Sequence, residues 1–185
     1  MILDHYDRHI TDRHLDVGVG TGYFLDKCRF PSPAPAVALM DLNPNSLQAT
    51  ARRLWRYRPE CVRTDVLRPI EPDLSDQHDL SDFSSIGMSY LLHCLPGTIK
   101  TKSAAFANLR PLLRSGGVLF GTTILGRGVE RNLPARMLSA VYNRKGIFSN
   151  REDSLPDLEA ALSEHFTDTE VRVEGCVALF SGRKR

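Results

Sequence analysis

The sequence has no apolar run approaching the ~20 residues that a membrane-crossing helix needs. Its charged beginning, "MILDHYDRHITDRH", lacks the apolar stretch of a secretory signal. Net charge is scarce too: 24 basic against 22 acidic residues leave +2, without the positive stripe of a nucleic-acid binder. The terminal "GRKR" reads as a solvated tail. Cysteine is sparse: Cys28, Cys61, Cys94 and Cys176 stand singly, with no CxxC pair. That excludes a disulfide framework and a thiolate zinc site, and predicts reduced, mostly buried thiols. His5 and His9 lie four apart in an expected helix, with His14 beyond, but no Glu between them completes a zinc-protease pattern. The pair reads as a solvated helix face, and no metal is expected. What remains is a soluble, cytoplasmic protein. Its 185 residues, 42% of them apolar, suit a single domain with a real core.

Within that frame, apolar or β-branched runs predict seven strands, at 14–19, 36–42, 60–66, 84–92, 117–125, 169–175 and 177–183. The early runs are continuous instead of alternating, which suits strands buried on both faces of a parallel sheet. Helical patterns lie between them. Asn43 caps and Pro44 opens a helix that turns Leu47, Ala51, Leu54 and Trp55 inward. A second, "GTIKTKSAAFANLRPLL", buries Ile99, Phe106 and Leu109 and stops at Gly116 and Gly117, which suit a helix end and a turn. A third is capped by Ser154 and faces inward with Leu155, Leu158, Ala161, Leu162 and Phe166. Alternating strands and helices imply a doubly wound α/β sheet covered on both faces. Only Gly175 and its neighbours separate the last two strands, so these form an antiparallel hairpin.

The first strand runs into "HLDVGVGTGYFLDKC", with Gly18, Gly20 and Gly22 at the turn into a helix. Such a loop lets a ligand approach the backbone closely, beside the unpaired amides of a helix start. In a doubly wound sheet it lies at the carboxyl end of the strands, where strand order reverses. A dinucleotide fingerprint wants G-x-G-x-x-G, but Tyr23 stands where its last glycine would be. A phosphate-binding P-loop is excluded because no Gly-Lys-Ser/Thr follows.

With "LDVGVGTGYF", the acid ending strand two in "ALMDLNP", the Asp ending strand three in "RTDV", and the closing hairpin, the chain resembles the class I S-adenosylmethionine-dependent methyltransferases from about Leu15 to Lys184. "SYLLHCLPG" and "LRPLLRSGGVLFGTTIL" are similar to the small-molecule branch of that family. The resemblance implies a seven-stranded sheet in the order 3-2-1-4-5-7-6 with strand 7 antiparallel, and S-adenosylmethionine as cofactor. It places the glycine loop at the methionine part of the cofactor, the strand-two acid at the ribose and the strand-three Asp at the adenine. Asp41, 21 residues after Gly20, is then the ribose acid, with Leu42 beside it. Asp65 and Val66 take the adenine. Asp16 orients the loop or meets the cofactor's ammonium, since an unpaired charge inside a strand would be expensive. Ser89 and Tyr90 line the end of strand four.

Because the cofactor carries an already activated methyl group, the protein mainly orients the reactants and supplies a base to a protonated acceptor. His93, just past strand four, is the base candidate; the alternative is a wall residue bonded to the backbone. The Asn/Asp-Pro-Pro-Tyr/Phe motif of nucleic-acid amino methyltransferases is missing, so the partner expected is a small-molecule acceptor and not a nucleic acid or a membrane. Residues 126–154 form a candidate acceptor-site insertion, whose stripe of Leu133, Met137, Leu138 and Val141 reads as core before lid, with Tyr142, Ile147 and Phe148 adding surface. Residues 1–13 form a short N-terminal helix or tail where family members carry a few dozen residues, which suggests an open site, a covering second subunit in a homodimer, or a truncated chain. Two other readings stay open: a non-catalytic module of methyltransferase type, and an NAD-dependent oxidoreductase.

Overall fold

The computed structural model describes residues 1–130 and 133–185. Helix α1 (Ile2–His9) leads into β1 (Arg13–Val17), and α2 (Tyr23–Lys27) follows the glycine loop. Then come β2 (Ala36–Asp41), α3 (Pro44–Arg53), β3 (Glu60–Arg63), α4 (Pro72–Gln77) and β4 (Phe83–Ser89). The second half holds α5 (Ile99–Lys102), α6 (Ala104–Leu109), β5 (Leu113–Ile124), α7 (Leu133–Arg144), α8 (Leu155–His165), β6 (Thr167–Glu174) and β7 (Val177–Arg183). The seven strands make one sheet in the order β3-β2-β1-β4-β5-β7-β6, parallel except for β7 against β5 and β6. This is the expected α/β order, with the closing hairpin in its expected place.

Two cores, one on each face, explain the unbroken apolar runs. Along β2, Ala38 and Met40 join the larger core with Phe106, Leu158 and Leu162, while Val37 and Leu39 join the other with Tyr6, Leu47 and Leu54. A strand whose alternate side chains enter different cores is apolar on both faces, except where a buried polar residue finds a partner, as His14, Asp16 and Ser85 do in β1 and β4. The edge strand β6 instead alternates half-buried and exposed positions throughout.

Four local expectations are corrected. Helix α3 ends at Arg53 and a 3-10 turn over Trp55–Tyr57 swings Trp55 outward to 75% exposure, leaving Leu54 to fill the core. The helix expected after strand four breaks at Ser103 into α5 and α6, although Ile99, Phe106 and Leu109 are buried as read. Gly116 and Gly117 lie not at a helix end but within β5, where the register against β4 jumps from Phe83↔Leu113 to Ser85↔Val118. A side chain at Gly117 would sit 3.0 Å from the Phe83 carbonyl oxygen, so the bulge needs glycine there. Helix α1, finally, is not a solvated face: Tyr6 and His5 are buried, with the His5 ring edge-on to Phe120 and its Nε2 3.1 Å from the Phe180 carbonyl oxygen.

The caps are as read. Asn43 accepts from the Asn45 amide at 3.0 Å, and Ser154 accepts from the Asp157 amide. The four thiols are free, but only Cys28 is buried; Cys61 and Cys94 are exposed, because they sit at an edge strand and in a turn.

Candidate functional site

At the carboxyl end of β1 the chain turns through three glycines in the left-handed region, with φ of +69° at Gly18, +52° at Gly20 and +66° at Gly22. Two of them are also closed in. A Cβ at Gly18 would stand 2.7 Å from Leu91 Cδ1, and one at Gly22 would stand 2.5 Å from Thr50 Cγ2. Buried Thr50, on α3, also donates to the Gly20 carbonyl at 3.2 Å, so the loop is held from below. Above Gly20 nothing stands within 4 Å, and a ligand can lie directly on its backbone.

The loop borders a cleft of about 190 Å³ lined by Asp16, Gly18, Gly20, Gly22, Ser89 and Tyr90, together with Tyr6, Tyr23 and Phe24. Asp16 is 4% exposed and its Oδ1 accepts from the Tyr6 hydroxyl at 3.2 Å. Burial first, and the facing Asp16 carboxylate second, push the Tyr6 phenol well above its ordinary range. Ser89 ends β4. Tyr90 follows in the left-handed region at φ +57°, its amide donating to the Thr122 carbonyl at 2.8 Å and to Thr122 Oγ1 at 3.2 Å. That clasp offsets a backbone conformation unfavourable for a bulky residue.

Asp41, half-buried, is the last residue of β2, and its Oδ1 accepts from the Asn43 amide at 2.8 Å. Leu42 is 59% exposed, and its carbonyl accepts from Arg63 Nε at 3.2 Å. Asp65 lies two residues past the end of β3 instead of ending it; its Oδ1 accepts from the Leu67 amide at 3.0 Å, and Arg68 Nε stands 3.7 Å from Oδ2. Val66 is buried and its carbonyl accepts from Asn108 Nδ2 at 2.9 Å. These four residues do not line the glycine-loop cleft. They extend from it along the same edge of the sheet, past the ends of the neighbouring strands β2 and β3.

His93 is 2% exposed, in a 3-10 turn over Leu92–Cys94, and lies outside the cleft lining. Its Nδ1 accepts from the Ile124 amide at 3.4 Å, and its ring stands edge-on to Phe148 at 4.6 Å and to Tyr90 at 5.7 Å. Burial, with a smaller push from the Lys102 charge, brings its imidazole down to about 4. The His93 carbonyl accepts from the Ser149 amide at 2.7 Å. It stands between Tyr90, which lines the cleft, and Phe148 of segment 126–154.

Of that segment, Arg131 and Asn132 lie outside the described residues. The stripe read as core is not core: Leu133, Met137, Leu138 and Val141 on α7 are exposed, as is Ile147, while Tyr142 and Phe148 are half-buried against each other. What fastens the segment is polar. Lys102 Nζ, fully buried, donates to Asp153 Oδ2 and to the Ser149 carbonyl, each at 2.6 Å, and Asn150 donates to the Ile124 carbonyl at 2.8 Å.

Sequence reasoning missed Tyr6, Thr50 and the Lys102–Asp153 pair. Only the lysine left a signal: it lies three residues after Ile99 and four before Phe106, on the apolar face of its helical pattern. Tyr6 and Thr50 reach the loop by chain returns that no local pattern encodes. Among the described residues there is no cluster of His, Cys, Asp or Glu fit for a metal, and no helix long and apolar enough to cross a membrane.

This geometry has close relatives. Residues 15–119 match the methyltransferase domain family. The chain is 42% identical over 175 residues to a demethylluteothin O-methyltransferase of Streptomyces thioluteus, covering 95% of this chain and 74% of that one. It is 43% identical over 181 residues to the putative uncharacterized protein YbcY of Escherichia coli K12, covering 97% and 89%. Among solved structures, the N-methyltransferase NodS of Bradyrhizobium japonicum in complex with S-adenosyl-L-homocysteine superimposes with a TM-score of 0.62 at 17% identity, covering 92% and 76%. The sheet order, the glycine cradle at the end of β1 and these similarities agree: the chain belongs to the class I S-adenosylmethionine-dependent methyltransferases.

Proposed function

We propose that the chain methylates an acidic hydroxyl of a small, largely apolar molecule, working as a single methyltransferase unit in the cytoplasm. The observation that carries this reading is the cleft over Gly20, open backbone beside the buried acid Asp16. The residues fit the cofactor. Asp16 suits its ammonium and the bare loop its methionine part; Asp41, with Leu42, takes the ribose hydroxyls, and Asp65, with Val66, the adenine. Ser89 and Tyr90 form the wall beside the sulfur. S-adenosylmethionine supplies a methyl group already activated on a sulfonium, which leaves the protein the work of orientation and of excluding water.

His93 acts here as a wall and not as the base, since its Nδ1 is engaged and its ring is covered by Phe148. With no histidine on the cleft lining, the acceptors best suited are those whose own hydroxyl ionises readily, such as phenols and enols. The Streptomyces relative, named as an O-methyltransferase, supports oxygen as the target. The exposed apolar residues of α7 then offer the acceptor side of the site, and the free thiols suit a reducing compartment.

The test pairs calorimetry with S-adenosyl-L-homocysteine and with a nicotinamide cofactor and turnover of labelled S-adenosylmethionine against amines and against phenolic and enolic acceptors of graded acidity. Binding together with label on the more acidic hydroxyls is the expected outcome. Homocysteine-adduct binding with label only on amines would overturn the acceptor class, and tight nicotinamide binding instead would overturn the cofactor assignment.

A further inference from the structure

Behind Asp16 lies a chain of polar side chains with no place in the scheme above. His14 precedes Asp16 by two residues on β1, so both side chains leave the strand on the same face. The neighbouring strand answers in register: Ser85 stands opposite His14 and Gly87 opposite Asp16. Gly87 makes the room, since a Cβ there would stand 2.8 Å from Asp16 Oδ1 and 3.1 Å from His14 Cε1. The His14 ring is fully buried, 5.8 Å from the ring of Phe120. Its Nδ1 lies 2.8 Å from Ser85 Oγ, and Ser85 Oγ lies 2.8 Å from Thr11 Oγ1 while accepting from the Thr11 amide at 3.0 Å. The other ring nitrogen, Nε2, has no hydrogen-bond partner and stands 3.7 Å from Asp16 Oδ1.

What Nε2 carries depends on where the Ser85 hydroxyl hydrogen goes. Ser85 has one hydroxyl hydrogen, to give either to His14 Nδ1 or to Thr11 Oγ1. If it goes to Nδ1, the proton of a neutral imidazole is on Nε2 and points at the carboxylate. If it goes to Thr11, whose own hydrogen then serves the Arg13 carbonyl at 3.3 Å, Nδ1 must donate to Ser85. A neutral ring would then aim a bare Nε2 lone pair at a carboxylate inside the protein, an opposition of two acceptors that burial makes costly. The arrangement free of that opposition has Ser85 donating to Nδ1, which places N–H on Nε2.

From this geometry we propose that His14 is a positioning residue for the cofactor: its Nε2–H, with the Tyr6 hydroxyl, engages Asp16 Oδ1 and turns Oδ2 toward the cleft to receive a ligand's ammonium group. The proposal rests on the cofactor reading of the cleft. The function of the Ser85 and Thr11 hydroxyls is to fix the ring's proton, and that of Gly87 is to let ring and carboxylate meet. His14 touches no reacting atom; it acts through Asp16.

Two ligands separate this role from a merely structural one. S-adenosyl-L-homocysteine carries the ammonium group, whereas 5′-methylthioadenosine keeps the adenosine and sulfur without it. In calorimetry on the intact chain, His14→Phe, which fills the space but donates nothing, should weaken the first about tenfold, through loss of the buried N–H attraction that orients Asp16, and leave the second within about twofold. His14→Gln, which keeps a donor, should restore part of the loss. Equal weakening of both ligands, or unchanged affinity for the first, overturns the proposal. Long-range nitrogen–proton NMR of the unaltered protein gives an answer free of folding effects: a protonated Nε2 is expected, and a bare one overturns the proposal. Wild-type protein that binds neither ligand would overturn the cofactor reading itself and this proposal with it, a result distinct from the selective failures above.

Discussion

The glycine-loop cleft and segment 126–154 face the same edge of the sheet but are built by opposite means. The cleft is made of backbone held from several sides: Thr50 from α3, Leu91 beyond β4, and Tyr6 from α1 all close on a few residues of chain. The segment carries the apolar stripe of α7 outward and is tied down by polar contacts, among them those of Lys102, Asp153 and Asn150. Fixing a backbone conformation suits a ligand that never changes, whereas exposed side chains on a pinned frame can differ from one acceptor to another without disturbing the sheet. With the cofactor in the cleft and the acceptor against the segment, as proposed, the two halves of the reaction would depend on different kinds of contact, and substitutions should separate them.

The largest effect should come from the pin. Replacing Lys102 by Met leaves Asp153 as an unpaired charge, with both side chains fully buried in the native pair. Breaking such a pair typically costs about 3–5 kcal/mol, so denaturant titration should register a loss of that size. Homocysteine-adduct affinity in the remaining folded protein should be unchanged. An equal loss of cofactor affinity would mean that the two regions are one unit.

The wall between them gives the next effect, through acid. The His93 imidazole, brought from 6.5 down to about 4 in the folded chain, refuses a proton that the unfolded chain accepts. The unfolded state therefore binds more protons between those values, and stability is lost as pH falls from about 6.5 toward 4. The full extent is about 3 kcal/mol for this residue, at 1.36 kcal/mol per pKa unit. His93→Asn, which keeps an acceptor for the Ile124 amide, should show a shallower acid loss than the parent chain in unfolding curves at pH 7 and pH 5. His9, held at about 4 chiefly by burial, remains in both proteins and cancels in the difference.

Asp41→Ala tests the cofactor side alone. Losing hydrogen bonds from a carboxylate to the ribose should weaken the homocysteine adduct roughly 10- to 100-fold, about 1.4–2.7 kcal/mol. The melting temperature without ligand should barely move, since Asp41 is half-buried at a strand end and fills no core. Unchanged affinity would place the ribose elsewhere. The smallest effect should be that of Met137→Ser on the exposed stripe of α7, within about 0.5 kcal/mol in stability and without change in cofactor binding. Its expected readout is the acceptor KM, and a stable, active variant with unaltered KM would remove α7 from the acceptor site.

What could be read in the sequence follows the same division. The sheet was legible because strands entering two cores are largely apolar on both faces, as β2 is with Val37, Ala38, Leu39 and Met40. The loop was legible because left-handed turns at Gly18 and Gly22 leave no room for another residue. Segment 126–154 misled for a physical reason: amphipathic spacing in α7 marks an apolar stripe but says nothing about whether anything covers it. Lys102 stood out on the apolar face of its helix, but its pairing was invisible, since Asp153 is 51 residues away. Trp55 misled because one 3-10 turn rotates everything after it out of helical register.

The edge strands carry a consequence for how copies of the chain meet. At one margin β3 is only 4 residues long, and at the other β6 turns Asp168, Glu170, Arg172 and Glu174 to solvent. A short strand offers little template for another chain to pair with, and charges of both signs along an edge make an apolar newcomer lose their hydration. Continuing the sheet from one molecule into the next is therefore disfavoured at both ends.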